Sequence, residues 1–120
     1  MNKSDMKIII TGGAGFIGTS LARLLVKNHQ VTIFDQREPH IDNINFLYGD
    51  IKNSRDVIES IKDCDVVIHL AATLGVINTE ENPVLTLDTN MGGTKNVLEA
   101  CRINNIKKII FSSSSEVYGE

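Results

Sequence analysis

The sequence predicts an α/β fold built on a doubly wound parallel sheet. Short β-branched runs alternate with stretches of helical periodicity along the chain. The runs are apolar on consecutive residues, as strands covered by helices on both faces must be. The first run breaks at a glycine cluster that leads straight into a helical pattern. The order reads β-α-β, then β-α-β-α-β, with right-handed crossovers expected.

The elements follow in turn. Lys7-Ile8-Ile9-Ile10-Thr11 is a strand ended by Gly12-Gly13. Phe16, Ile17, Leu21, Leu24 and Leu25 then recur near helical spacing and predict that helix's apolar face. Gln30 to Asp35 is a second strand, ending on a carboxylate, and a polar loop runs from Gln36 to Asn43. Asn45 to Asp50 is a third strand. Asn53 to Asp56 opens a helix with Ser54 as its expected cap and Val57, Ile58 and Ile61 as its apolar face. Asp65 to Leu70 is a fourth buried strand, and Ala71 to Asn82 a loop. Pro83 suits the first turn of a long helix, Val84 to about Ile103. Gly92-Gly93 interrupts that helix at a cost of about 1 kcal/mol each, so something must approach closely there. Lys107 to Ser112 is a fifth strand.

Composition narrows the function. A chain of 120 residues is one domain's worth, and 42% hydrophobic with 22% charged residues is far from a disordered balance. A net charge of -3 recommends neither nucleic acid nor an anionic membrane as partner. The apolar runs are too short to cross a bilayer. Met1 to Asp5 runs directly into the first strand without an apolar targeting stretch, and the expected location is cytoplasmic. Cys64 and Cys101, both in apolar contexts, read as small buried hydrophobes in a reducing compartment. His69 stands alone in an apolar run, with no second ligand at metal spacing, and reads as a hydrogen-bonded core histidine.

The glycine turn carries the chemistry. Thr11-Gly12-Gly13-Ala14-Gly15-Phe16-Ile17-Gly18 sits between a strand and a helix, the context that makes a glycine string a dinucleotide-binding candidate. Glycine lets backbone approach a pyrophosphate, and the helix N-terminus offers N–H groups and a positive dipole end. Gly18 permits tight packing of the helix on the sheet. A mononucleotide phosphate loop needs lysine after its last glycine, and Thr19 stands there instead. Asp35, seventeen residues after Gly18 at a strand end, suits the adenosine ribose hydroxyls and repels a 2′-phosphate. Arg37 nearby could attract one. Asp50 suits either the adenine end of a cofactor or a cap for the next helix.

These pieces together resemble the extended short-chain dehydrogenase/reductases, in particular the NAD-dependent epimerase/dehydratase family acting on nucleotide sugars. Thr11-Gly12-x-x-Gly15-x-x-Gly18 resembles the family's cofactor turn, with Phe16 and Ile17 in the same cofactor-binding set. Asp35, with Gln36 beside it, matches the ribose-binding acid. Asp50 and Ile51 match the adenine-contacting pair. Leu70, Ala71 and Ala72 match the strand-four element beside the nicotinamide half. Asn90-Met91-Gly92-Gly93-Thr94 resembles the central-helix segment that passes near the active site, where Asn90 holds the geometry. Phe111 to Gly119 resembles the strand-five signature.

The resemblance implies a Rossmann-type fold, NAD as cofactor and a nucleotide-sugar substrate for the whole protein; the ligand spacing gives no metal. The resemblance makes Ser114 the catalytic serine that holds the reacting hydroxyl, Glu116 an acid or base, and Ser112 a contact on the nicotinamide side. It also admits a homodimer of the whole protein. The family's base, a Tyr followed four residues later by Lys on a helix downstream of the serine, does not occur among these residues. Tyr48 to Lys52 spells that string but precedes Ser114 and contains Gly49-Asp50. The expectation is therefore a single incomplete dinucleotide-binding domain, residues 1–120. It would hold five strands, stop before a sixth and lack the C-terminal substrate-binding part, so these residues alone should be inactive. The alternative is a non-catalytic dinucleotide-binding module.

Overall fold

A computed structural model of the protein describes residues 5–70 and 92–111. Its sheet holds β1 (Lys7–Thr11), β2 (Gln30–Asp35), β3 (Asn45–Tyr48), β4 (Val66–His69) and β5 (Lys108–Phe111). The order across the sheet is β3-β2-β1-β4-β5, and all four pairings are parallel. Between them run α1 (Phe16–Leu25), α2 (Ser54–Ile61) and α3 (Gly93–Ile103). The order reverses direction at β1, so the carboxyl ends of β1 and β4 flank a switch point, where ligands of such sheets bind.

Both faces of the central strands β1, β2 and β4 are buried, which explains their consecutive apolar residues, while the edge strands β3 and β5 are mostly exposed. Ile8 and Ile10 point to one face and join Ala22 of α1, Val31, Ile33, Val66 and Ile68. Ile9 points to the other, with Phe34, Val67, Val57 and Ile61 of α2, and Val97, Ala100 and Cys101 of α3. Each buried Val or Ile contributes roughly 1.5–3 kcal/mol.

α1 departs from the expected apolar face. Phe16 is 86%, Ile17 67% and Leu24 63% exposed, while Gly18 and Ala22 are buried and Leu21 and Leu25 partly so. A Cβ on Gly18 would stand 2.4 Å from the Gly13 Cα, so the helix lies too close for a large side chain on its contact line. Small residues make that line, and the large ones are displaced to its flanks.

α2 also differs from expectation: Asn53, not Ser54, is its cap. The Asn53 side-chain oxygen accepts a hydrogen bond from the Asp56 N–H at 3.1 Å, and Ser54 is the first helical residue. β3 stops at Tyr48, two residues early: the Gly49 N–H makes a last bond to β2, at the Asp35 carbonyl 3.2 Å away, and the chain then turns, with the Lys52 N–H donating to the Asp50 carboxylate. α3 ends with Asn105 in the left-handed region (φ 58°), where the Ile106 N–H donates back to the Cys101 carbonyl at 2.9 Å. The close approach expected at Gly92-Gly93 comes from Ile51, whose Cγ2 would be 2.9 Å from a Cβ on Gly93. Asn96 and Asn104 tie α3 down by donating to the Ile51 and Ile58 carbonyls. The Ala71–Asn82 loop, the Pro83 helix start and the Ser112 end of the fifth strand lie outside the described residues.

Candidate functional site

The glycine turn joins β1 to α1 at the switch point. Gly12 has φ 78°, a conformation that favours glycine, and its N–H donates to the Phe34 carbonyl at 2.9 Å. Gly13 is pressed against Ile33 and Ile10, and Gly18 against Gly13, so both serve packing. Gly15 is different. Its φ of -77° and ψ of -179° suit any residue. Among the described residues a Cβ there would meet nothing nearer than the Gly12 carbonyl oxygen at 3.8 Å and Arg37 Nη2 at 3.9 Å, both ordinary van der Waals contacts. Neither backbone strain nor packing demands glycine at this position. It immediately precedes a helix with no side-chain cap and no acid in its first turn. Phe16 and Ile17, the first two residues of that helix, lie exposed.

Asp35 faces this turn from the end of β2. One carboxylate oxygen accepts the Ala14 N–H and the other the Arg37 N–H, both at 3.1 Å. The side chain therefore holds the glycine turn and the following loop together, and a carboxylate's remaining lone pairs can still accept from further donors. Gln36 is exposed beside it.

Asp50 is half-buried and does not cap α2. Its carboxylate accepts the Lys52 N–H at 2.9 Å and closes the turn after β3. Ile51 is 8% exposed, with its side chain in the core against Gly93. Tyr48 ends β3 and Lys52 lies in the turn after it, so that pair shares no helical turn.

At the carboxyl end of β4, Leu70 is half-buried and its N–H donates to the Thr11 carbonyl at 2.8 Å. His69 is buried, and each ring nitrogen has a partner: Nδ1 lies 2.7 Å from Thr11 Oγ1 and Nε2 3.1 Å from Thr94 Oγ1. The ring meets Phe111 edge-on, with centroids 5.7 Å apart. Burial pulls its pKa below the usual 6.5 and keeps the ring neutral. The expected core histidine is thus a bridge that ties the last residue of β1 to the first turn of α3. Thr11 and Thr94 gave no sign of this role in the sequence. A buried threonine needs a partner, but the partner is named only once β1 and β4 are known to be neighbours.

The structure brings together Gly12, Gly15, Phe16, Ile17, Gly18 and Asp35, with Arg37 added. Asp50 stands at the end of β3, farther along the same sheet edge. Ala71, Ala72, Asn90, Ser112, Ser114 and Glu116 lie outside the described residues. Among the described residues no three His, Cys, Asp or Glu side chains cluster as metal ligands. No helix among them is long and apolar enough to cross a membrane.

Residues 8–120 match the profile of the NAD dependent epimerase/dehydratase family. The chain is 43% identical over 123 residues to a UDP-N-acetyl-alpha-D-glucosaminuronate decarboxylase of Bacillus cytotoxicus, a match covering 95% of this chain and 38% of that protein. It is 37% identical over 139 residues to a dTDP-D-glucose 4,6-dehydratase of Dictyostelium discoideum, covering 98% and 32%. Among solved structures, the UDP-glucose 4-epimerase of Brucella ovis in complex with NAD superposes with a TM-score of 0.87 at 32% identity, covering 96% of this chain and 38% of that one. The chain thus spans well under half the length of these relatives.

Proposed function

This chain belongs to the NAD dependent epimerase/dehydratase family, and we propose that it is the NAD-binding portion of a nucleotide-sugar epimerase or dehydratase. The observation that carries the reading is Gly15, which neither backbone strain nor a clash among the described residues requires, at the uncapped N-terminus of α1 and one residue from the Ala14 N–H that Asp35 holds. In this reading the N–H groups of Phe16 and Ile17 receive the diphosphate, stabilised by the helix dipole. Gly12 and Gly18 shape the turn so that this end of the helix stays close to the sheet. Asp35 accepts the adenosine ribose hydroxyls and disfavours a 2′-phosphate. Gln36, Asp50 and the backbone of Ile51 border the adenine side, since the Ile51 side chain is taken up by the core.

Bound NAD would supply the hydride acceptor for a sugar hydroxyl. Toward the nicotinamide half we assign Leu70, Ala71, Ala72, Asn90 and Ser112. Ser114 orients the reacting hydroxyl and Glu116 serves as an acid or base. An alcohol side chain such as Ser114 is too weak to take that proton alone at neutral pH, so the whole enzyme needs a base beyond it. The relatives named above are a decarboxylase, a dehydratase and an epimerase, so family membership leaves the outcome at the sugar open. Two free thiols accord with a reducing, cytoplasmic setting.

The test is Gly15→Val. The backbone at Gly15 accepts a β-branched residue, and the added methyls fill the space assigned to the diphosphate. Calorimetry should detect NAD binding to the parent and none to the variant, with the two melting within a few degrees of each other. Retained binding in the folded variant would put the phosphates elsewhere and refute the assignment.

A further inference from the structure

The geometry points to Arg37 as a diphosphate-binding residue beside the cofactor turn. The inference rests on the dinucleotide reading of that turn and adds a residue to it. Three observations lead there. The Arg37 backbone N–H donates to Asp35 at 3.1 Å, and the same carboxylate accepts the Ala14 N–H, so the loop after β2 is drawn down onto the glycine turn. The guanidinium then lies over the turn, with Nη2 3.9 Å from the Cβ position of Gly15. Among the described residues Arg37 makes no ion pair; Arg102 with Glu99 is the pair formed there.

The chemistry follows from where the cation stands. It stands beside Gly15, where α1 presents its positive end. Two positive features that meet at one turn select an anion there. A dinucleotide carries its diphosphate at this point, and a planar guanidinium can donate two hydrogen bonds to a phosphate. A 2′-phosphate would instead sit beside Asp35, whose charge opposes it. Arg37 therefore serves the diphosphate that NAD and NADP share, while Asp35 discriminates between them.

The experiment measures the binding of NAD, ADP-ribose, NADP and adenosine to the parent protein, Arg37→Ala and Arg37→Lys, at two salt concentrations. Arg37 is exposed, so the variants should fold like the parent. Arg37→Ala should weaken NAD and ADP-ribose by about three- to tenfold, the scale of one exposed charge-assisted contact. It should also flatten their salt dependence and leave phosphate-free adenosine unchanged. Arg37→Lys, which keeps the charge, should recover part of the loss. Unchanged NAD affinity in Arg37→Ala overturns the inference while the dinucleotide reading stands on the parent's binding. Loss confined to NADP overturns it in favour of the 2′-phosphate. A parent that binds no dinucleotide overturns both readings.

Discussion

Gly18→Ala and Gly93→Ala add the same methyl group near the start of two helices, yet they should have different consequences. In either helix alanine is favoured over glycine by up to about 1 kcal/mol. At Gly18 the new Cβ would stand 2.4 Å from the Gly13 Cα and 2.7 Å from its carbonyl carbon and oxygen. Ordinary carbon contacts need about 3.5–4.0 Å, so α1 and the turn must separate by roughly 1 Å. The opposing atoms are backbone, and the turn is anchored by Gly12 to Phe34 and by Ala14 to Asp35, so no rotamer change relieves the clash. Overpacking of this kind costs about 1–3 kcal/mol or more, which exceeds the helix gain. At Gly93 the Cβ would meet Ile51 Cγ2 at 2.9 Å and Cγ1 at 3.1 Å, side-chain atoms that can tilt by a few tenths of an ångström. There the gain and the cost nearly cancel, to within about 1 kcal/mol. Urea unfolding followed by circular dichroism compares the three proteins. Gly18→Ala should unfold at clearly lower urea with an unchanged slope, and Gly93→Ala close to the parent. A Gly18→Ala variant as stable as the parent, or one less damaging than Gly93→Ala, would refute the reasoning that α1 touches the turn through backbone.

Two further outcomes are expected. Burial holds the His69 pKa below 6.5, so the unfolded chain binds a proton that the folded chain refuses. This contribution to stability is complete above about pH 6.5 and is lost as the pH falls from there through the folded-state value, at up to about 1.4 kcal/mol per pH unit. Urea titrations should show His69→Gln with a flatter acid limb than the parent; identical limbs would mean that His69 is not the group excluded from protonation. Burial, with Asp65 and Asp63 nearby, pushes the Cys64 thiol up to about 11, and burial does the same to Cys101. Both should react with a thiol-labelling reagent at pH 8 far more slowly than in denaturant, buried Cys101 slowest, and labelling of Cys101 in the native protein as fast as in denaturant would contradict its placement.

Much of the fold was determined by local pattern. β1 and β2 end where the sequence says, because a β-branched run followed by Gly12-Gly13, or one ending on Asp35 before a polar loop, sets its own limits within a few residues. The parallel arrangement was legible too, since strands apolar at every position need cover on both faces. So was the glycine turn, whose strand, glycines and helix are contiguous.

The tertiary structure decided what local pattern cannot reach. Helical periodicity marked Phe16, Ile17 and Leu24 as an inner face, but the distance of α1 from the sheet put Gly18 and Ala22 there instead. That distance is a property of the packed pair, not of the helix. The glycines of the turn look alike in sequence; only their neighbours separate Gly13 and Gly18, where a Cβ would clash, from Gly15, where among the described residues it would not. The bond from Asp35 to Ala14 spans 21 positions, and His69 reaches Thr11 across 58 and Thr94 across 25. Those partners meet because β1 lies between β2 and β4, and strand order is a global choice made by burying both faces of one sheet. The sequence by itself determined which chemistry this protein could hold at the end of its first strand. Packing determined which of the glycines there are enclosed and which backbone groups Asp35 holds.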